Sequence, residues 1–189
     1  MEPLIAHIRR FVPLSEEEAG VLASVLTYAD FSKKDFLLKA GRPCVSHYFI
    51  IKGCLRMYYI NPKETEQVIQ FAIENWWMTD YDSLEGGQAS RYYIQALEDT
   101  QVVVLDRTVR EELFVKIPIL ERYFRKILEK AFTAAQRRME FFADMTDEQR
   151  YRQFSRRFPE FHQRVPQYMI ASYLGVTPQF ISRVRGRKG

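Results

Sequence analysis

The sequence has 189 residues, 47% of them apolar and 14% aromatic, enough for one large core or two small ones and too apolar for a disordered chain. No run of eighteen apolar residues occurs, which excludes a membrane-spanning helix, and the opening MEPLIAHIRRF carries an acid and two arginines where a secretory leader would have an apolar centre. The net charge of +4 is unevenly placed: residues 1–136 hold 17 Lys/Arg against 19 Asp/Glu, whereas residues 137–189 hold 11 against 5, with no acid after Glu160. A basic C-terminal quarter points to a polyanionic partner; on charge alone a solvated basic tail is the alternative.

Residues 4–29 read as helical. Ser15 is placed to cap a helix and Glu18 to close a capping box, with Val21, Leu22, Val25 and Leu26 on the apolar face. From Asp30 to Arg107 the pattern changes to short strands rich in aromatic and β-branched residues: Phe36–Leu38, His47–Ile51, Leu55–Ile60, Gln67–Ile73, Tyr92–Ala96 and Val102–Leu105. Turn residues such as Lys52-Gly53 and Asn61-Pro62-Lys63 separate them. That spacing predicts an antiparallel sandwich or barrel, and the absence of alternating helices argues against a nucleotide-binding α/β fold. Cys44 and Cys54 form no CxxC pair, which suits two small apolar residues in a reducing cytoplasm.

From Ile117 the chain is helical again. Leu120, Phe124, Ile127, Leu128, Ala131, Phe132, Ala135, Met139 and Phe142 recur at three- and four-residue spacing. A helix of that length spans about 40 Å, more than a small barrel covers. A partner helix, most simply the same helix of a second subunit, would bury the stripe; packing wholly on its own barrel is the alternative. Thr146 to Gln149 is a second capping box; Tyr151, Phe154, Phe158 and Phe161 are expected on the apolar side of its helix, which Pro159 ends.

The last segment carries the chemistry. Gln167 to Leu174 predicts a short helix with Ile170, Ala171 and Leu174 inward, and Gly175 permits the left-handed corner after it. Thr177 caps a second helix that starts at Pro178, with Phe180, Ile181 and Val184 inward and Gln179, Ser182, Arg183 and Arg187 outward. This is a helix-turn-helix whose second helix would lie in the major groove of double-stranded DNA. Arg183 suits guanine O6 and N7, Gln179 suits adenine or cytosine, and Ser182 reaches a phosphate or a base edge. Arg185, Arg187 and Lys188 suit phosphates.

The segment IASYLGVTPQFISR resembles the recognition segment of the Crp/Fnr family of bacterial transcription regulators, and HYFIIKGCLRMYY resembles that family's β-roll. The resemblance covers nearly the whole chain. It implies an α+β protein: a cyclic-nucleotide-binding-like antiparallel β-roll (double-stranded β-helix) over 1–115, a dimerisation helix over 116–144, and a winged helix-turn-helix over 145–189 whose wing must be small. It further implies a cytoplasmic homodimer on a near-palindromic operator. An activator would also touch RNA polymerase, for which no surface is legible. Some members read DNA with Glu-x-x-Ser-Arg; this chain has Gln179, Ser182 and Arg183.

Members that bind cyclic AMP use a Gly-Glu pair for the ribose and an Arg-Ser pair for the phosphate. Here Thr79-Asp80 and Ser90-Arg91 stand at those places, and Tyr92 and Tyr93 would crowd the pocket. The expectation is therefore no cofactor and no cyclic AMP, with an effector pocket around Asp80, Ser90, Arg91 and Tyr92 open to an unknown ligand or to none. No cysteine precedes Cys44 to hold an iron–sulfur cluster, and His47 is the one roll histidine for haem. Trp76 and Trp77 suit either core or pocket lining. A cupin-type metalloenzyme would need several converging histidines, which His7, His47 and His162 do not supply, so neither a metal nor a catalytic residue is expected. A ligand-binding module acting through protein partners, without DNA contact, is the other rival.

Overall fold

Two four-stranded antiparallel sheets face each other in the computed structural model, which describes residues 3–186; Arg187 and Lys188 lie outside the described residues. The strands are β1 (Thr27–Phe31), β2 (Phe36–Leu38), β3 (Ser46–Lys52), β4 (Leu55–Ile60), β5 (Glu66–Ala72), β6 (Trp77–Met78), β7 (Tyr93–Ala96) and β8 (Thr100–Asp106). One sheet has the order β1-β8-β3-β6 and the other β2-β7-β4-β5. The turn at Lys52-Gly53 carries the chain from one sheet to the other. Gly53 has φ +110°, and a Cβ there would stand 2.3 Å from Thr100 Oγ1 and 2.7 Å from its Cα, so only glycine fits.

Alternation along β3 explains why its sequence is apolar almost throughout. Tyr48 and Ile50 enter the roll with Leu55, Met57, Met78, Ile94 and Val102. Phe49 faces the other way and joins Leu4, Ile8, Leu113, Leu120 and Tyr123. Both faces are buried, so the period-two signal disappears.

The region expected as helical over 4–29 is two helices and a strand: α1 (Pro3–Arg9), α2 (Glu16–Val25) and then β1. The capping box forms, with Ser15 Oγ accepting from the Glu18 N–H at 3.1 Å and Glu18 Oε2 accepting from the Ser15 N–H at 2.8 Å. Thr27 to Phe31 leaves the helix because β8 offers it a full ladder, a tertiary gain that local propensity does not register. Two further helices fall outside the expected elements: α3 (Tyr81–Gly86), capped by Asp80, and α4 (Arg107–Lys116), whose charged sequence buries chiefly Leu113 and Arg110.

The long helix α5 (Ile119–Asp144) has two halves of different character. Its first turns pack on their own roll: Leu120 and Tyr123 are buried, and Phe124 and Ile127 pack against the same cluster. Trp77 Nε1 donates to the Tyr123 hydroxyl at 2.8 Å, and that hydroxyl lies 2.8 Å from His7 Nδ1. Burial, then Arg10 and Lys130, push His7 down to about 4, so the ring beside the tyrosine hydroxyl is neutral. From Leu128 to Arg137 every residue is exposed. Leu120, expected at a subunit interface, is thus spent inside its own chain, whereas Leu128, Ala131 and Ala135 are open.

The remaining helices are α6 (Asp147–Arg157), α7 (Phe161–Arg164), α8 (Gln167–Leu174) and α9 (Pro178–Gly186). The small wing expected near Pro159–Gln167 is a turn followed by the four-residue α7, a segment too short for two strands and a turn; no strand follows β8 among the described residues. Tyr151, Phe154, Phe161, Met169, Ile170 and Leu174 share one core with Tyr58, Val68 and Phe71 from the outer face of the second sheet.

Candidate DNA interface and sensor pocket

The corner between α8 and α9 follows from Gly175, whose φ of +68° is the left-handed value that ends a helix sharply. The Gly175 N–H reaches the carbonyls of Ala171 and Ser172, and the Val176 N–H bonds Ala171 O at 3.0 Å. Ala171 and Leu174 are fully buried where the helices cross, with Ile170, Ile181 and Val184 around them. Thr177 Oγ1 accepts from the Phe180 N–H at 3.1 Å, so its hydroxyl caps α9. Pinned in this way, α9 turns Gln179, Ser182, Arg183 and Arg185 to solvent, and Phe180 is half-buried. Neither Arg183 nor Arg185 pairs with a carboxylate among the described residues; Arg183 lies over the Phe180 ring, 5.6 Å from its centroid.

At the other site, hydrogen bonds join Asp80, Ser90 and Tyr92, and Arg91 lies outside them over the tyrosine rings. Asp80 and Ser90 are buried and bound to each other, the Ser90 hydroxyl donating to Asp80 Oδ2 at 2.7 Å. Ser90 Oγ in turn accepts from the Tyr92 N–H at 2.9 Å. Arg91 is exposed and lies over the Tyr59 ring, 4.7 Å from its centroid, while Tyr92 meets Tyr59 edge-on. Tyr93 does not crowd this end: it stacks on Tyr58 on the outer face, with ring centroids 5.0 Å apart. Trp77 packs in the core below α5, and Trp76 meets the rings of Phe158 and Phe161. His47 is buried against Trp77, Tyr81 and Phe124, and burial, helped by Arg110, pushes it down to about 3. Cys44 and Cys54 are buried in separate clusters, and burial pushes the Cys54 thiol up to about 12. Among the described residues no group of His, Cys, Asp and Glu is arranged to hold a metal ion, and no helix is long and apolar enough to cross a membrane.

Residues 29–116 match the family model of the cyclic nucleotide-binding domain. The chain is 27% identical to the anaerobic regulatory protein of Pasteurella multocida, over 92% of this chain and 67% of that protein. It is 26% identical to the fumarate and nitrate reduction regulatory protein of Escherichia coli K12, over 92% of this chain and 74% of the relative. The structure of FixK2 from Bradyrhizobium japonicum shares the fold, with a TM-score of 0.70 at 19% identity over 86% of this chain and 84% of that one. Over most of its length the chain is thus similar to bacterial regulatory proteins of the Crp/Fnr type, and residues 29–116 match the domain that gives their sensor its fold. Like them in fold, it joins a β-roll to a C-terminal helix-turn-helix.

The helix-turn-helix is seated directly on the second sheet of the roll by residues that the sequence did not single out. Ser172 of α8 lies along the free edge of β5: its hydroxyl donates to Glu66 O at 2.8 Å and accepts from the Val68 N–H at 3.0 Å, and Gln67 Nε2 donates to Ser172 O. Arg138 of α5 donates to Ile69 O and Tyr173 O, with its guanidinium 3.9 Å from the Tyr173 ring centroid. Arg164 of α7 donates to both Glu74 oxygens at 2.8 Å and to Glu98. Burial alone would raise the Glu74 pKa, but the Arg164 and backbone hydrogen bonds outweigh it and bring it to about 2. An arginine inside the apolar run of α5 was a readable signal for Arg138. Nothing local marks Ser172.

Proposed function

We propose that this protein is a sequence-specific DNA-binding transcription regulator that acts in the cytoplasm as a homodimer and reads a near-palindromic operator with α9, and that its sensor roll does not take cyclic AMP. The observation that carries the reading is the outward face of α9: Gln179, Ser182, Arg183 and Arg185 are exposed on a helix fixed by a buried crossing, with no acid nearby in sequence. Arg183 reads guanine and Gln179 adenine or cytosine, whereas Arg185 neutralises phosphate. Half-sites one helical turn apart, about 34 Å, match a two-fold dimer.

The case against cyclic AMP rests on Asp80 and Ser90. A cyclic phosphate needs a guanidinium or several N–H donors. At this place the roll buries a carboxyl group that holds the Ser90 hydroxyl, and the nearby Arg91 faces out onto Tyr59. These residues do not fit a cyclic phosphate, so a different effector or a constitutively competent state remains for the roll.

Selection of duplexes from a random library, with and without cyclic AMP, tests the reading. An enriched near-palindrome that is lost in Arg183→Ala and indifferent to cyclic AMP is the expected result. A monomer bound to a single half-site, or cyclic AMP-dependent enrichment, would overturn the corresponding part.

A further inference from the structure

We infer that Gln167 is a positioning residue that turns the Ser182 hydroxyl outward as a fixed hydrogen-bond donor, so that Ser182 selects base edges carrying acceptors. The inference rests on the reading of α9 as the groove-lying helix. Gln167 opens α8, and its side chain crosses to α9. There Nε2 donates to Ser182 Oγ at 2.9 Å and to Pro178 O at 3.2 Å. A backbone carbonyl can only accept, so the amide must present its nitrogen, and its orientation is determined by chemistry.

Pro178 is four residues before Ser182, and its carbonyl is the one to which a helical serine hydroxyl ordinarily donates. In α9 that carbonyl has two claims on it. The Ser182 backbone N–H takes one lone pair as the ordinary helical bond, and Gln167 takes the other. The Ser182 proton therefore has no inward acceptor, while one lone pair of its oxygen is held by the same amide. The hydroxyl proton is left pointing away from the protein, between the exposed Gln179 and Arg183. A serine held in this state favours purine N7, guanine O6 or thymine O4 and disfavours the cytosine amino group, which is itself a donor. An unheld serine, free to rotate, would accept or donate and discriminate little.

The test compares binding of the selected operator with that of duplexes changed at one base pair, for wild type, Ser182→Ala, Gln167→Met and the double variant. Ratios between duplexes cancel any loss of folded protein. Ser182→Ala and Gln167→Met are each expected to flatten preference at the same base pair by roughly three- to tenfold, the worth of one hydrogen bond, and the double variant no further. Gln167→Glu, which pulls the hydroxyl proton inward, is expected to flatten it as well. Uniform weakening on all duplexes, effects that multiply in the double variant, or preference retained in Gln167→Met would overturn the inference. Arg183→Ala is the separate control: if it leaves every base preference unchanged, the reading of α9 fails and this inference with it. An Arg183-dependent operator without Gln167–Ser182 coupling defeats the inference alone.

Discussion

Replacing Phe132 with aspartate should split the proposed dimer. Leu128, Phe132, Ala135, Met139 and Phe142 follow one another at spacings of four, three, four and three, the seam pattern of a two-stranded coiled coil. Phe132 is 62% exposed in the single chain. With about 200 Å² on a phenylalanine side chain, burying that fraction removes roughly 125 Å² from water in each subunit. At ~25 cal/mol per Å², the two copies together contribute about 6 kcal/mol to association as an upper figure. Loss of that amount weakens the dimer by about four powers of ten, and two aspartates facing each other across a two-fold axis add repulsion. Sedimentation velocity across a concentration series reads the change directly, and tight operator binding should be lost in step. A variant that still sediments as a dimer at wild-type concentrations would place the interface elsewhere. Ile127→Asp is a poorer probe, because Ile127 packs against its own roll and its replacement would also disturb folding.

Other consequences follow from single side chains. Arg185→Ala should weaken binding about equally on all sequences and reduce the slope of log affinity against log salt by about 1; base-selective loss would show that Arg185 touches a base. Arg164→Met should cost about 1–3 kcal/mol of stability in urea titrations, because two carboxylates on the roll lose their partner. An unchanged midpoint would show that this clasp holds nothing. His7 and His47 have folded pKa values below the unfolded 6.5, so their stabilisation is complete above pH 6.5 and declines as pH falls towards about 4 and about 3. The slope approaches about 1.4 kcal/mol per pH unit for each histidine between pH 6 and 5. A urea midpoint that is flat over that interval would contradict the burial of both rings.

The parts of the fold visible in the sequence are those with local causes. Ser15 and Thr146 announce their helices because a capping box is complete within four residues. Ala171, Gly175 and Thr177-Pro178 announce the corner because crossing, left-handed turn and helix start each require one residue type at one spacing. β1 was hidden because a short edge strand takes its stability from β8, about seventy residues further along the chain. Periodicity showed the stripe on α5 but not what covers it, which is why Leu120 and Leu128 looked alike. The pairing of Asp80 with Ser90 and the bridge from Gln167 to Ser182 depend on tertiary approach, and no pattern in the chain encodes them.

The seat of Ser172 on β5 has a bearing on solubility. An edge strand with open N–H and C=O groups is a template for pairing with other chains. Here one serine side chain occupies the Val68 N–H and the Glu66 carbonyl, and α8 lies over the strand. The helix-turn-helix therefore also acts as a guard on one open edge of the roll. A sensor roll expressed without residues 145–189 would present that strand uncovered, together with Tyr58, Val68 and Phe71, and would be prone to strand-to-strand aggregation.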